Sequence, residues 1–244
     1  MDWDGFIKGW KELASTRGFS CETLLEREGM EILGCRKESE KADAPWIYLS
    51  SGVHGDEPSG PQALMRLLEE DYFGPELNWL ICPVLNPTGL ARATRETMDG
   101  KDINRDYKKR ETPEVRAHLA WLDEQPTASL FISLHEDWES TGVYYYEIND
   151  GVDGVTYQEM MKAAEPFFPP EPQEIIDEHE TRELGWIYHE SKPDVEDGWP
   201  EAIYLALANC SLSYTIETPS SKGIEARISA HVAMSKAAVE GLGA

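Results

Sequence analysis

The sequence predicts an α/β sandwich built around a mostly parallel or mixed sheet. Two observations carry that reading. Short apolar runs alternate along the chain with segments of helical periodicity, and the first of those runs is apolar enough to be covered on both faces. The 244 residues contain no internal repeat, low-complexity linker or composition break, so a single domain spanning 1–244 is expected.

Residues 3–15 have the spacing of an amphipathic helix, and "WIYLSSG" (46–52) is the buried strand. "EPSGPQALMRLLEEDYF" (57–73) places Ala63, Leu64, Leu67 and Leu68 on one helical face, with Pro58 suited to the first turn. "LNWLICPVLNP" (77–87) is a second strand ended by Asn-Pro, "TPEVRAHLAWLDEQ" (112–125) a helix and "ASLFISLHE" (128–136) a third strand. "GVYYYEIN" (142–149) precedes a helix at 156–168. The acidic, proline-containing region 169–200 is an elaborated rim, and no hinge between domains is expected there. A helix at 199–209, a strand "SLSYTIE" (211–217) and a helix at 223–241 complete the order.

A hydrophobic content of 41% and the lack of any 18-residue apolar run describe a globular chain that does not enter a bilayer. The start, "MDWDGFIKGWKELAS", has no basic region followed by an apolar stretch, so a cytoplasmic location is expected. Cys21, Cys35, Cys82 and Cys210 are scattered without Cys-x-x-Cys spacing and are expected to be buried thiols, with neither a disulfide framework nor a thiolate zinc site. The net charge of −24 repels phosphate backbones and anionic lipid, which excludes nucleic acid and membrane surfaces as partners. It could favour cationic substrates, but a solvated acidic surface is the simpler reading.

The chemistry concentrates at strand ends. "WIYLSSGVHGDEPSG" runs from strand through a glycine-flanked His54 and Glu57 into a helix. With six histidines in so acidic a chain, chance alone supplies about one His-x-x-Glu pair. Placement says more than spacing, because open α/β sheets bind ligands beyond the C-terminal ends of their strands. Gly52 and Gly55 suit the tight turn. His135 ends "LFISLH", on the strand face that carries Phe131 and Ser133. Two imidazoles and one carboxylate form the ligand set of hydrolytic zinc sites, and His54, Glu57 and His135 would supply it. Glu217 ends the strand "SYTIE" and is the candidate base. The loop "GLARATRETMDGKDINRDY" (89–107) brings Arg92, Arg95, Asn104 and Arg105 into one segment, where guanidinium forks suit an anionic ligand.

These residues together resemble the zinc carboxypeptidase family, the group that includes carboxypeptidase A and bacterial murein-peptide amidases. Gly-x-His-Gly-x-Glu-Pro-Ser-Gly matches its first metal motif, "SLH" its third-ligand strand, and "NPTGLARATRETMDGKDINRDY" its Asn-Pro-x-Gly … Arg … Gly-x-Asp-x-Asn-Arg segment. "TIETP" matches its general-base strand, so the likeness covers about residues 46–220. The resemblance implies a three-layer α/β/α sandwich with a mixed, largely parallel sheet and one Zn²⁺ ion on His54, Glu57 and His135. It implies Glu217 as base, Arg95 on the oxyanion with Arg92 as second choice, and Asn104 with Arg105 on the free carboxylate of a small peptide substrate. The substrate-capping tyrosine would be Tyr188, with Tyr204 competing. Glu136 and Asp137, after the third ligand, would bond a ligand imidazole or a substrate amine, or lie in a solvated loop. The related aspartoacylase and succinylglutamate desuccinylase group shares the His-x-x-Glu and Asn-Arg pairs, which implies an acyl-amino-acid substrate as the alternative. A non-catalytic domain that binds peptide C-termini is a third reading.

Overall fold

The computed structural model describes residues 2–242. An N-terminal helix α1 (Trp3–Thr16) leads into the hairpin β1 (Ser20–Arg27) and β2 (Met30–Lys37), then β3 (Trp46–Ser51), α2 (Ser59–Glu69), β4 (Asn78–Cys82) and the short α3 (Pro87–Arg92). A 3₁₀ turn at Ile103–Arg105 precedes α4 (Pro113–Leu122), β5 (Leu130–Asp137), β6 (Tyr144–Asn149) and α5 (Tyr157–Ala164). The two-residue strands β7 (Ile175–Ile176) and β8 (His179–Glu180), then β9 (Trp186–Tyr188), α6 (Glu201–Leu207), β10 (Leu212–Pro219) and α7 (Ile224–Gly241), follow.

Eight strands form one sheet in the order β1-β2-β4-β3-β5-β10-β6-β9. Its centre, β4-β3-β5-β10, is parallel, while β1, β2 and β6 join antiparallel, so the sheet is mixed and largely parallel as expected. The period-two alternation of the strands builds two cores. Ile47, Leu49, Ile132, Leu134, Tyr214 and Ile216 face a core closed by α1, α2, α5 and α7. Tyr48, Leu80 and Phe131 face the other, closed by α4 and α6 through Val115, Leu119 and Leu205. The fold is therefore an α/β/α sandwich, and the face that carries Phe131 is the functional one.

The structure departs from expectation at three places. β1 and β2 form a hairpin with a Glu28-Gly29 turn, both residues at positive φ. β1 shows no buried run, and Glu-Gly is not the Asn-Gly signal that marks such turns. Cys21 and Cys35 are directly paired across this hairpin and form a disulfide, which corrects the expectation of four thiols; only Cys82 and Cys210 are free and buried. The 169–200 region carries β7, β8 and β9 in addition to loops. No helix among the described residues is long and apolar enough to cross a membrane.

Candidate metal centre and active site

Register assembles the site on the α4/α6 face. The parallel pairing of β5 with β10 sets His135 beside Glu217 and Ser133 beside Thr215, and β3 adds Ser50 beside Ser133. Antiparallel β6 places Tyr144 beside Glu217 and Tyr146 beside Thr215. Ser133, His135, Tyr144, Tyr146, Thr215 and Glu217 line one cavity of about 420 Å³ that opens at the C-terminal ends of the parallel strands, where an open α/β sheet leaves room for a ligand.

The loop after β3 brings in His54 and Glu57. Gly52 turns it at φ +59°, in the left-handed region. Gly55 lies so close to α3 that a Cβ would come within 2.0 Å of the Gly89 carbonyl carbon and 2.4 Å of the Leu90 nitrogen. Asn86 caps α3 by accepting from the Gly89 amide and donates to the Arg95 carbonyl at 3.2 Å, and the Gly55 amide donates to the same carbonyl. The first ligand loop and the Arg95 loop are thus pinned together.

His54, Glu57 and His135 are buried and converge, with one ligand atom of each within 4.8 Å of the others. The two imidazoles turn their Nδ1 atoms on Glu57, His54 at 2.6 Å from Oε1 and His135 at 2.9 Å from Oε2. Burial alone would raise the Glu57 carboxyl, but the two histidines outweigh it and hold it near 2. For His54, burial pulls down and is outweighed by Glu57 and Asp102, which push it up to about 9. Burial prevails at His135, which is lowered. A buried carboxylate gripped by two imidazole nitrogens is the donor set of a divalent ion of the zinc type, so these residues fit the metal that the sequence implies.

Asp102 completes this centre and was given no role on sequence. Its Oδ1 lies 3.2 Å from His54 Nε2, and its Oδ2 accepts from Arg95 Nε at 3.1 Å. It therefore orients the imidazole from behind, as carboxylates do for metal-binding histidines. The signal was available in the Gly-x-Asp-x-Asn-Arg run, but the contact with His54 spans 48 residues and only the fold reveals it.

Glu217 faces the cavity with no hydrogen bond or ion pair among the described residues. Burial, then the charges of Glu57 and Asp137, push its carboxyl well above the ordinary range. Arg95 lies 3.7 Å from Glu57 and lines the cavity. Arg92 does not, because it is tied to Glu28 and to the Thr88 carbonyl outside. Asn104 accepts the Glu201 amide through Oδ1, which leaves its NH₂ as the free end, and Arg105 donates only to the Asn104 carbonyl. Both line the cavity, and among the described residues Arg105 has no carboxylate partner. In a chain of net charge −24 that leaves a guanidinium available to an anionic ligand.

The tyrosine expectation is corrected. Tyr188 pairs in register with Glu147, one residue out of phase with the cavity-facing Tyr146, and its hydroxyl donates to the Asn149 carbonyl. Tyr204 bonds Asp123. The tyrosines that line the cavity are Tyr144 and Tyr146. Glu136 alternates to the opposite face of β5, where it caps the Ser59 amide and pairs with Arg227, so it neither touches a ligand imidazole nor lies in a solvated loop. Asp137 accepts from the Tyr144 hydroxyl at the cavity edge.

Below the triad the floor is polar. Glu201, at the start of α6, accepts from Tyr48 at 2.8 Å and from Ser50 at 2.7 Å. Tyr48 is in turn 2.8 Å from His118 Nε2, whose Nδ1 is 3.0 Å from the Tyr107 hydroxyl. Burial raises the Glu201 carboxyl to about 7 and lowers His118 to about 3.

Residues 43–162 match the family described as the succinylglutamate desuccinylase/aspartoacylase catalytic domain. No curated relative matches the chain. Among solved structures, the chain is similar to a protein of Shewanella amazonensis provisionally named a metallopeptidase. Identity is 22% over 99% of this chain and 93% of that one, with a TM-score of 0.86. It is also similar to a metallo-carboxypeptidase of Burkholderia cenocepacia, with 14% identity, 97% and 69% coverage and a TM-score of 0.69. A third is a Pseudomonas aeruginosa metallo-carboxypeptidase in complex with (2-guanidinoethylmercapto)succinic acid, with 16% identity, 96% and 69% coverage and a TM-score of 0.63. At these identities the likeness establishes a shared fold.

Proposed function

We propose, from the fold it shares with metallo-carboxypeptidases and the match of residues 43–162 to the succinylglutamate desuccinylase/aspartoacylase catalytic domain, that the chain is a zinc-dependent hydrolase, a metallocarboxypeptidase that cleaves the C-terminal amide bond of a small peptide. One observation carries the reading: the unpaired Arg105 and the free amide end of Asn104 share a cavity with the His54–Glu57–His135 cluster and Glu217. A clamp for a free carboxylate beside a hydrolytic centre suits cleavage of the amide nearest that carboxylate, as an exopeptidase requires.

A zinc ion on His54, Glu57 and His135 would polarise the scissile carbonyl and make water acidic enough to attack near neutral pH. The rest belongs to the chain's own groups. Asp102 holds the His54 ring through Nε2, which commits Nδ1 to the centre. Glu217, whose partnerless carboxyl lies beside His135, would take the proton of the attacking water and deliver it to the departing amine. Arg95 donates to the charge that grows on the carbonyl oxygen. Arg105 and Asn104 fix the substrate's terminal carboxylate and so choose which bond is presented.

The match of residues 43–162 to the desuccinylase/aspartoacylase family favours a second reading, hydrolysis of a small N-acyl amino acid. Both substrates present an amide next to a free carboxylate. Turnover of a panel of dipeptides, tripeptides, N-acetyl and N-succinyl amino acids by the zinc-loaded protein separates them. The peptidase reading predicts cleavage of unblocked peptides that is lost when the C-terminus is amidated. Exclusive cleavage of small acyl groups would establish the deacylase instead, and inactivity on the whole panel would remove both.

A further inference from the structure

The acidic segment 169–200 holds a second cluster that the proposed reaction does not use. His179 on β8, His189 just after β9 and Asp194 in the following loop bring one ligand atom each within 4.8 Å of one another. Both imidazoles aim Nε2 at a single carboxylate oxygen, Asp194 Oδ2, His189 from 3.2 Å and His179 from 3.5 Å. Their rings stand 5.0 Å apart, steeply inclined to each other, and Tyr146 packs its ring edge-on against His179 at 5.7 Å and against His189 at 6.3 Å. The Tyr146 hydroxyl is held by Asp177, so this wall is braced from β6.

The tautomer of His189 is what makes the cluster more than a polar contact. Its Nδ1 lies 2.6 Å from the Glu190 carbonyl oxygen, which can only accept, so Nδ1 carries the hydrogen. In the neutral ring Nε2 then presents a lone pair, yet it faces both oxygens of the Asp194 carboxylate, at 3.3 and 3.2 Å. A lone pair directed at an anion is favourable only with a cation between them, whether a second ring proton or a metal ion, and the backbone carbonyl on the far nitrogen is the arrangement that orients a metal-binding imidazole. The second imidazole converging on the same oxygen supplies a third donor.

We propose that His179, His189 and Asp194 form a second divalent-metal site, of zinc type, at the mouth of the cavity. The donor set of two imidazoles and a carboxylate matches that of the deeper centre, but the setting differs. Asp194 is 63% exposed and the histidines 26% and 12%, so the ion exchanges with solvent and leaves open coordination positions. It joins β8, the end of β9 and the loop beyond it. It also sets a positive charge at the entrance of a cavity walled by Asp137, Asp177 and Glu139.

The experiment counts zinc per chain after metal-stripped protein is dialysed against Zn²⁺, for the wild type, the double variant His179→Ala/His189→Ala and the double variant His54→Ala/His135→Ala. The expected result is two ions for the wild type and one for each variant. In the second variant, added Zn²⁺ also slows limited proteolysis within 169–200, and Asp194→Asn in that background abolishes the protection. One ion in the wild type with the rim variant still at one overturns the proposal. One ion in the wild type, retained by the His54/His135 variant and lost by the rim variant, keeps this site and removes the functional reading above, so the two fail separately.

Discussion

Replacing Glu201 by Gln should stabilise the protein at alkaline pH and leave it nearly unchanged in mild acid. The carboxyl is 1% exposed, and burial lifts it from an ordinary 4.5 to about 7. A carboxyl whose folded-state value is raised holds its proton more tightly in the folded chain, so stability is fully present below about 4.5 and is lost as pH climbs through 7. At ~1.4 kcal/mol for each pH unit between those values, the loss approaches about 3 kcal/mol, and about 2–3 kcal/mol of it falls between pH 5 and pH 8. The glutamine side chain would keep the Tyr48 bond through its carbonyl and donate to Ser50, which can pass its own hydrogen to Ser133 at 3.3 Å. Urea unfolding of both proteins at pH 5 and pH 8 measures the difference, in which groups that titrate alike cancel. The variant should gain about 2–3 kcal/mol on the wild type across that interval, about 4–12 °C in melting temperature. A difference that stays flat with pH would refute the reasoning, because it would mean that water in the cavity floor solvates the carboxylate.

Other consequences are as direct. Gly55→Ala must displace the α3 backbone, since its Cβ would come within 2.4 Å of Leu90 N and Thr94 O; a loss of about 1–3 kcal/mol and weakened zinc binding are expected in thermal melts and metal counts. Arg105→Ala should raise KM for substrates with a free carboxylate by roughly 10- to 100-fold, the worth of a charge-assisted hydrogen bond, with a smaller change in kcat in steady-state assays. Thiol titration of the unfolded, unreduced protein should find two free thiols, Cys82 and Cys210, because Cys21 and Cys35 are joined. The Cys21→Ser/Cys35→Ser double variant should lose about 3 kcal/mol in urea unfolding, the value for a loop of this length.

The centre of the sheet was legible because burial on both faces forces continuous apolar runs, and the polar residue that ends such a run is conspicuous. His135 and Glu217 are examples: on that face the polar residues that precede each within its strand are only serine or threonine, Ser133 on β5 and Ser213 and Thr215 on β10. Legibility fell wherever the sheet thinned. β1 is largely exposed and gave no run to read. β9 is three residues long, too short for its phase to be judged, and one residue of phase separates Tyr188 from the cavity. The same alternation removed Glu136 from the site, since the residue after a cavity-facing His135 must face the other core.

What the chain could not disclose by pattern was any contact that only the fold closes. Asp102 stands within a recognisable run, yet its role depends on the 93–105 loop returning to the first ligand, which the Asn86 cap and the Gly55 amide enforce through a single carbonyl, that of Arg95. The choice between Arg92 and Arg95 follows from the same return. Ala93 ends α3 in the left-handed conformation, so the chain reverses between the two arginines, and Arg92 is left on Glu28 while Arg95 is carried over Glu57 and Asp102. Three residues of spacing in the sequence thus become opposite sides of a turn, and the side that meets the acidic centre is the one where a guanidinium can hold a growing negative charge.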